Sequence, residues 1–405
     1  MKFSPKPVAM LASAGGVLLS AFVAAQAPAP FGFGERMQRA LAEPYVGLVA
    51  GDDNVEGLFS ISPTGVPTTG SLEAAQHLIA TLSTEQRARA LFPVDDSEWR
   101  NWANIHRFPR QGVALDEMTT EQRDAVYALL RAGLSTKGYE TSRDIMRLNH
   151  HLAELVDNFD EYGEHLYFVT IMGTPSATDP WGWQLDGHHL VINYFVLGDQ
   201  VVMTPTFMGS EPVAAASGRY AGTAILEDEQ ARAIAFMRSL DDEQRAAAML
   251  GAKGRGENLA EMMRDNVTIP YQGLPATRLD AEQRKQLLDL IALYVGNMDL
   301  GHAAVKMDEV MAHLDATYFA WKQSPGADDV FYYRIHNPVL YIEFDHQGPT
   351  ALSGPRDVAT RNHIHSVVRT PNGNDYGKDL LRQHYEAYAN DVEHGHLPRN
   401  LAGAR

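Results

Sequence analysis

The sequence predicts an α+β protein with two related halves, in which capped helices are followed by an antiparallel β-meander. Three observations support this prediction. A helix-start pattern occurs four times, a series of landmarks occurs twice in the same order, and aromatic and β-branched runs are broken by glycine, asparagine and proline. Strict alternation of strands and helices is missing, which argues against a doubly wound parallel sheet.

Each helix-start pattern has an apolar residue, a Ser, Thr or Asp cap, and a Gln three residues after the cap. The Gln side chain can reach back to the cap in a capping box. The patterns are Leu82–Arg87, Met118–Arg123, Leu240–Arg245 and Leu279–Arg284. The first two begin 36 residues apart and the second two 39 residues apart, which suggests an internal duplication.

The repeated landmarks are aromatic pairs, strand-like runs and a final Thr-Pro. The first series is Tyr167-Phe168, Asp179–Asp186, His189–Phe195 and Val201–Pro205. The second series is Tyr318-Phe319, Asp329–His336, Val339–Asp345 and Val367–Pro371. We therefore expect related halves at about residues 70–215 and 228–375 within one large α+β domain at 70–390.

Two further helices are predicted from apolar spacing. The segment Leu300–Trp321 has the period of one long packed helix, with its methionines in the core. Residues Tyr376–Ala389 form the final helix, and residues 391–405 form a tail.

The N-terminus has the organisation of a secretory signal. Lys2 and Lys6 precede an apolar run from Val8 to Ala25, and small residues follow. We expect a signal peptide at residues 1–25, a segment at 26–69 that precedes the domain, and export to the periplasm or the extracellular space. A permanent membrane span is the less favoured alternative, because serines and glycines interrupt the run.

The composition excludes several classes of protein. The 405 residues include 34 basic and 51 acidic residues, and a net charge of -17 would repel nucleic acid. The chain has no cysteine, so any metal must bind nitrogen or oxygen ligands. It has no glycine-rich dinucleotide fingerprint or phosphate loop, and we expect no nucleotide cofactor.

Histidines beside the predicted strands give the strongest indication of a site. His363 and His365 point to one face of an extended segment, so both rings can bind one ion. Asp345, His346 and His188 are the expected further ligands of a divalent transition metal, with zinc the first choice. His188 is preferred to His189 because it directly follows the Gly187 turn. Alternatively, these histidines only bridge buried strand ends through hydrogen bonds.

Polar and aromatic residues near these histidines are candidates for substrate binding. They are Trp181, Trp183, His336, Arg369, Asn374 and Tyr376. The alternative for the two tryptophans is core packing, because aromatic side chains bury a large area. The alternative for Asn374 is an ordinary turn, and Arg369 and Tyr376 can instead make structural hydrogen bonds.

Long motifs resemble the family called domain of unknown function 3500, over about residues 70–390. The resemblance rests on Gly173–His189, Tyr332–His336, Glu343–His346, Arg361–His365 and Arg369–Gly377. Such a resemblance implies neither a reaction nor catalytic residues.

The residues themselves support two classes of function. The first is a metal-dependent exported enzyme, most simply a hydrolase, in which a histidine-rich site activates water. The second is a non-catalytic ligand-binding protein. A redox-active copper or iron would instead indicate an oxidoreductase.

Overall fold

The chain folds as a mixed α and β protein in a computed structural model that describes Met1 and residues 33–324 and 327–388. Ten α-helices occur in these ranges: α1 (Phe33–Ala42), α2 (Thr69–Thr81), α3 (Thr84–Ala90), α4 (Thr120–Gly133), α5 (Thr136–Val156), α6 (Glu227–Ser239), α7 (Asp242–Ala248), α8 (Ala281–Val295), α9 (Leu300–Ala312) and α10 (Lys378–Tyr388).

The strands of the described residues form one large mixed sheet and one small sheet. They are β1 (Val49–Ala50), β2 (Leu91–Phe92), β3 (Val113–Ala114), β4 (Tyr167–Met172), β5 (Trp181–Gly187), β6 (Leu190–Leu197), β7 (Gln200–Val202), β8 (Thr206–Ser210), β9 (Met249–Ala252), β10 (Thr268–Ile269), β11 (Leu274–Pro275), β12 (Tyr318–Ser324), β13 (Ala327–Asn337), β14 (Leu340–His346) and β15 (Ile364–Arg369).

The large sheet has 13 strands, and its main path runs β11-β12-β13-β14-β15-β8-β6-β5-β4-β2. Strands β3, β7 and β9 pair with β4, β6 and β12, while β1 and β10 form the small sheet. Within the large sheet, β2 with β4 and β9 with β12 are parallel pairs, and the other pairs are antiparallel.

The two faces of the large sheet are covered differently. On one face, Trp183 and Tyr333 share a core with Leu129 of α4 and Leu290 of α8. On the other face, Phe207 and Val367 belong to a second core that includes residues of the connecting segments, such as Leu48 and Trp102. His365 lies two residues before Val367 in β15 and therefore shares the face that connecting segments cover.

Strands β8 and β15 form the central antiparallel pair of the sheet. Their register places Gly209 opposite His365, and β8 also pairs with β6. This pairing joins the strands that end before residue 211 to those that begin after residue 317. The turn between β5 and β6 consequently lies beside the start of β15.

The four predicted capping boxes are confirmed. The side chains of four cap residues each accept a hydrogen bond from the backbone amide three residues later, and the Gln side chain at that position accepts one from the backbone amide of the cap; the caps are Ser83, Thr119, Asp241 and Asp280. The Gln side chains also pair between helices. Gln86 bonds to Gln122, and Gln244 bonds to Gln283.

The predicted helix Leu300–Trp321 is wrong in its second half. α9 ends at Ala312, and Tyr318–Ser324 is strand β12, in which aromatic side chains pack against neighbouring strands. Met311 is 49% exposed, so the expectation that every methionine of this segment lies in the core is also wrong. The apolar positions that fit a helical period also fit a short helix followed by an alternating strand.

The ends of the chain fit the expectations only in part. The last described helix, α10, begins at Lys378 rather than Tyr376, because Tyr376 has a positive φ of 59°. Its predicted end at Ala389, the tail at 391–405 and, apart from Met1, the signal peptide lie outside the described residues. No helix within the described ranges has both the length and the apolar composition needed to span a membrane.

Candidate metal centre

Three buried histidines converge on one point beside the central strand pair. The Nε2 atom of His189 lies 3.2 Å from that of His363 and 3.1 Å from that of His365. The Nε2 atoms of His363 and His365 are 3.0 Å apart. Among the described residues, these three form a group that could hold a metal ion, and we call it the histidine triad.

The local backbone explains how the triad forms. His365 lies in β15, and His363 immediately precedes that strand, so the two-residue spacing directs both rings to one side. His189 lies in the turn between β5 and β6 with a positive φ of 60°. Its backbone amide donates to the carbonyl of Asn104, and its carbonyl accepts from the amide of Gly209.

The structure brings His189 into the triad where the sequence favoured His188. Strand β5 continues through Gly187, so both histidines belong to the turn, where the alternation of side chains along a strand does not apply. The ring of His188 stacks on that of His189 with centroids 4.0 Å apart, and its Nδ1 lies 2.8 Å from Oδ1 of Asn149. His188 therefore packs behind a triad member.

Two glutamates lie behind the rings of His363 and His365. Nδ1 of His363 donates to the carbonyl of Gly348 at 2.9 Å, and Oε2 of Glu211 lies 3.8 Å from the same nitrogen. Oε2 of Glu261 lies 3.6 Å from Nδ1 of His365, and this nitrogen has no hydrogen-bond partner among the described residues. Outer carbonyl and carboxylate partners orient metal-binding imidazoles and fix their tautomers. Sequence reasoning missed both glutamates, since each lies in a connecting segment far from the His-x-His motif.

The surroundings favour neutral imidazoles. Burial, followed by the neighbouring His365 and His363 rings, lowers the pKa of His189 well below its usual value. Burial, followed by His363, does the same to the pKa of His365. Burial also lowers the pKa of His363, although the nearby Glu211 carboxylate opposes the change. A neutral imidazole keeps a lone pair on one nitrogen, as a metal ligand requires.

The spacing of the three nitrogens fits a single ion. His189, His363 and His365 could hold such an ion through Nε2 atoms that lie 3.0–3.2 Å apart, because metal–nitrogen bonds are about 2.0–2.1 Å long. An ion held by these three rings could polarise a water molecule or a substrate oxygen. The donor set also suits copper and iron, so geometry alone does not select the metal.

The other predicted ligands lie in different contacts. Asp345 is fully buried and forms an ion pair with Lys253 at 2.6 Å. Nδ1 of His346 contacts the backbone of Phe331, and its Nε2 lies 3.1 Å from the side-chain oxygen of Gln230. Neither residue belongs to the triad, because His346 faces the aromatic core and Lys253 already compensates the charge of Asp345.

The two tryptophans proposed to bind substrate are both in the core that packs against the helices. Trp181 and Trp183 are fully buried, and Trp183 stacks on Tyr194 with centroids 4.9 Å apart. Neither presents an exposed surface to a ligand. His336 is 1% exposed and has no hydrogen-bond partner for either ring nitrogen among the described residues.

Arg369 and Tyr376 form a buried ionic network away from the triad. The Arg369 guanidinium contacts Asp375 at 2.6 Å and Asp265 at 2.8 Å. The Tyr376 hydroxyl donates to Asp265 and accepts from the indole of Trp102. Asn374 is instead part of the lining of a cavity described below.

Comparison with known proteins identifies the family. The model of the family described as "Protein of unknown function (DUF3500)" matches residues 64–378. No curated protein and no solved structure shows a significant similarity. Because the match covers most of the chain and includes all three triad histidines, the chain belongs to the DUF3500 family, whose function is unknown.

Proposed function

We propose that the triad binds a divalent transition metal, with zinc the first choice, and that the protein is a metal-dependent hydrolase. The observation that carries this proposal is the convergence of three Nε2 atoms within 3.2 Å. Three nitrogen ligands with a remaining open position are typical of catalytic zinc sites. A metal at this position would lower the pKa of a bound water and supply a nucleophile at neutral pH.

A purely structural role explains the triad less well. His363 donates through Nδ1 to the Gly348 carbonyl, so its neutral ring has only a lone pair at Nε2. At most the two other neutral rings can carry a proton on Nε2. The three rings form three close Nε2–Nε2 pairs, so at least one pair has no proton between its two nitrogens. Such a buried conflict costs free energy, which a shared cation removes. The metal proposal follows from this imbalance.

The surroundings of the triad provide groups for binding and orienting a substrate. Glu261 is 29% exposed at the side chain, and Asn104 Nδ2 lies 3.4 Å from its Oε2. Oδ1 of Asn104 is buried and has no hydrogen-bond partner in the described part of the chain. An unpartnered buried oxygen beside the triad is suited to accept a hydrogen bond from a bound molecule or water.

Metal content and activity together test this proposal. The mature protein would be loaded with zinc, dialysed against a weak chelator and measured by elemental analysis, with the double variant His363→Ala, His365→Ala as the comparison. The loaded protein would then be assayed with nitrophenyl esters and phosphoesters. About one zinc per chain and hydrolysis lost in the variant would support the hydrolase. Stoichiometric zinc without any hydrolysis would support the metal site and refute the hydrolase. Tightly bound copper or iron would instead call for assays of oxidation.

We further propose that the chain is exported after cleavage at Ala25. The charged start and apolar run support this proposal. The mass of the protein purified from its native host should correspond to a chain that begins at Gln26. A soluble cytoplasmic form that retains residues 1–25 would refute it.

We also infer that residues 70–215 and 228–375 arose by duplication. The order of capped helices, the two side-chain Gln pairs and the two parallel strand pairs support this inference. The triad would then lie at the junction of the halves, with His189 from the first and His363 and His365 from the second. An experimental structure in which the halves fail to superpose strand for strand would refute the relationship.

A further inference from the structure

A cavity of about 260 Å³ lies at the opposite end of the β8–β15 pair from the triad. Thr206 and Val368, which are paired across these strands, both line it. At the triad end, Gly209 pairs with His365. Three residues along a strand correspond to about 10 Å, so the cavity and the triad are distinct places on the same strand pair.

A strap of residues 58–64 forms one wall of the cavity. Leu58, Phe59, Ser60, Ser62 and Thr64 all line it. The strap is bonded to the first residue of β7, Gln200: the Ser62 amide donates to Oε1 of Gln200, and the side-chain amide of Gln200 donates to the Ser60 carbonyl. The Thr64 amide donates to the carboxylate of Asp199, which directly precedes β7. These hydrogen bonds hold residues 58–64 in place as one wall of the cavity.

The rest of the lining combines apolar side chains with polar ones, which also include Gln200, His302 and Asn374. Val202, Met298 and Leu340 contribute apolar surface, whereas Thr204 and Thr370 contribute hydroxyl groups that bond to each other at 2.8 Å. The lining also contains one ion pair, in which Lys306 Nζ lies 2.9 Å from Glu309 Oε2. Because the two charges compensate each other, the cavity does not favour a charged ligand.

We propose that this cavity is a second binding site, for an uncharged, largely apolar molecule about the size of two fused rings with one hydrogen-bonding group. A cavity of about 150 Å³ lined by apolar side chains takes up benzene, so the larger cavity matches a bicyclic molecule. The threonine pair supplies the partner for a hydroxyl or carbonyl group. Small-molecule sites likewise combine apolar walls with polar groups that fix the orientation of the ligand.

Titration calorimetry with 2-naphthol on the full-length, metal-loaded protein tests the proposal. We expect saturable binding of one molecule with a dissociation constant below about 1 mM. The variants Val202→Trp and Val305→Trp fill the cavity from two sides and should weaken binding at least tenfold. Leu300→Trp is the matched control, because Leu300 is 73% exposed on the same helix as Val305 and should leave binding unchanged.

The outcomes separate this site from the triad. Binding should persist in the His363→Ala, His365→Ala variant, so failure of the metal proposal does not remove it. Absence of saturable binding, as for a cavity that holds water only, or equal binding by the filled variants would overturn the proposal. If both filled variants melt below the wild type, a crystal structure with 2-naphthol decides: density between Met298 and Thr370 supports the site, and density elsewhere refutes it.

Discussion

Loss of two triad ligands should remove metal binding while the fold is kept. Structural zinc sites with four ligands bind with about 10–16 kcal/mol, or about 2.5–4 kcal/mol for each ligand. Removing one histidine should therefore weaken zinc binding about 100-fold to 1000-fold, and removing both should leave no measurable site. We expect His365→Ala alone to show the first result and His363→Ala with His365→Ala the second.

Competition with a chromophoric chelator at pH 7.5 measures this change, and circular dichroism verifies the fold. His77→Ala is the control, because His77 is exposed on α2 and belongs to no described cluster of three ligands. Triad variants that hold zinc as tightly as the wild type would contradict this prediction. So would a wild type that, after zinc loading, releases the metal to the weakest chelator, since the three nitrogens would then not act together.

The metal site, the nearby Glu261, the buried His346 and the Arg369 network each give a further prediction. Zinc at 100 times its dissociation constant should stabilise the folded protein by about 2.7 kcal/mol, and absence of any rise in melting temperature with zinc would contradict a native metal site. Glu261→Gln should weaken zinc binding about tenfold by removing the carboxylate that lies 3.6 Å from Nδ1 of the ligand His365, and unchanged affinity in the chelator competition would contradict that role. Burial lowers the pKa of His346 to about 3 from its usual 6.5, so its contribution to stability is complete above pH 6.5 and declines as the pH falls toward 3. Between pH 7.5 and 5, His346→Gln should consequently lose about 2 kcal/mol less unfolding free energy than the wild type, as measured with urea. Arg369→Met leaves the buried Asp375 without its cation and removes one of the two guanidinium partners of Asp265, which keeps Arg100, and it should cost about 3–5 kcal/mol in the same assay. Arg382→Met breaks only surface pairs, with Asp379 and Glu386, and should cost about 0–1 kcal/mol; equal costs would contradict the ionic network.

Local chemistry explains why the capped helices were predictable. Each capping box is formed by residues within four positions, such as Ser83 and Gln86, so its geometry needs no distant partner. The end of α9 shows the limit of this reasoning. Residues after Ala312 continue an apolar spacing compatible with a helix, but pairing of Tyr318 with His336 across the sheet makes them a strand. The apolar spacing indicates which residues are buried, but pairing within the sheet determines whether they form a helix or a strand.

The candidate site divides in the same way. Spacing alone places His363 and His365 on one side of an extended segment, because side chains alternate along a strand. Their third partner depends on a turn about 175 residues away in the chain, where the positive φ of His189 and its bonds to Asn104 and Gly209 direct the ring. Glu211 and Glu261 carry no signal in the sequence, since they reach the triad only through the folding of connecting segments.

The sequence by itself determined the mixed α and β class, the capped helices, the His-x-His pair and the family. Each of these is encoded by neighbouring residues or by long motifs that can be compared directly. Only the tertiary structure decided that His189 completes the triad and that Trp181, Trp183 and Arg369 are buried away from it. It also decided that residues 58–64 form one wall of a cavity at the other end of the central strands. Those features depend on contacts between residues far apart in the chain. Such contacts form only when the folded sheet brings the residues together, at the cost of the entropy of closing long loops.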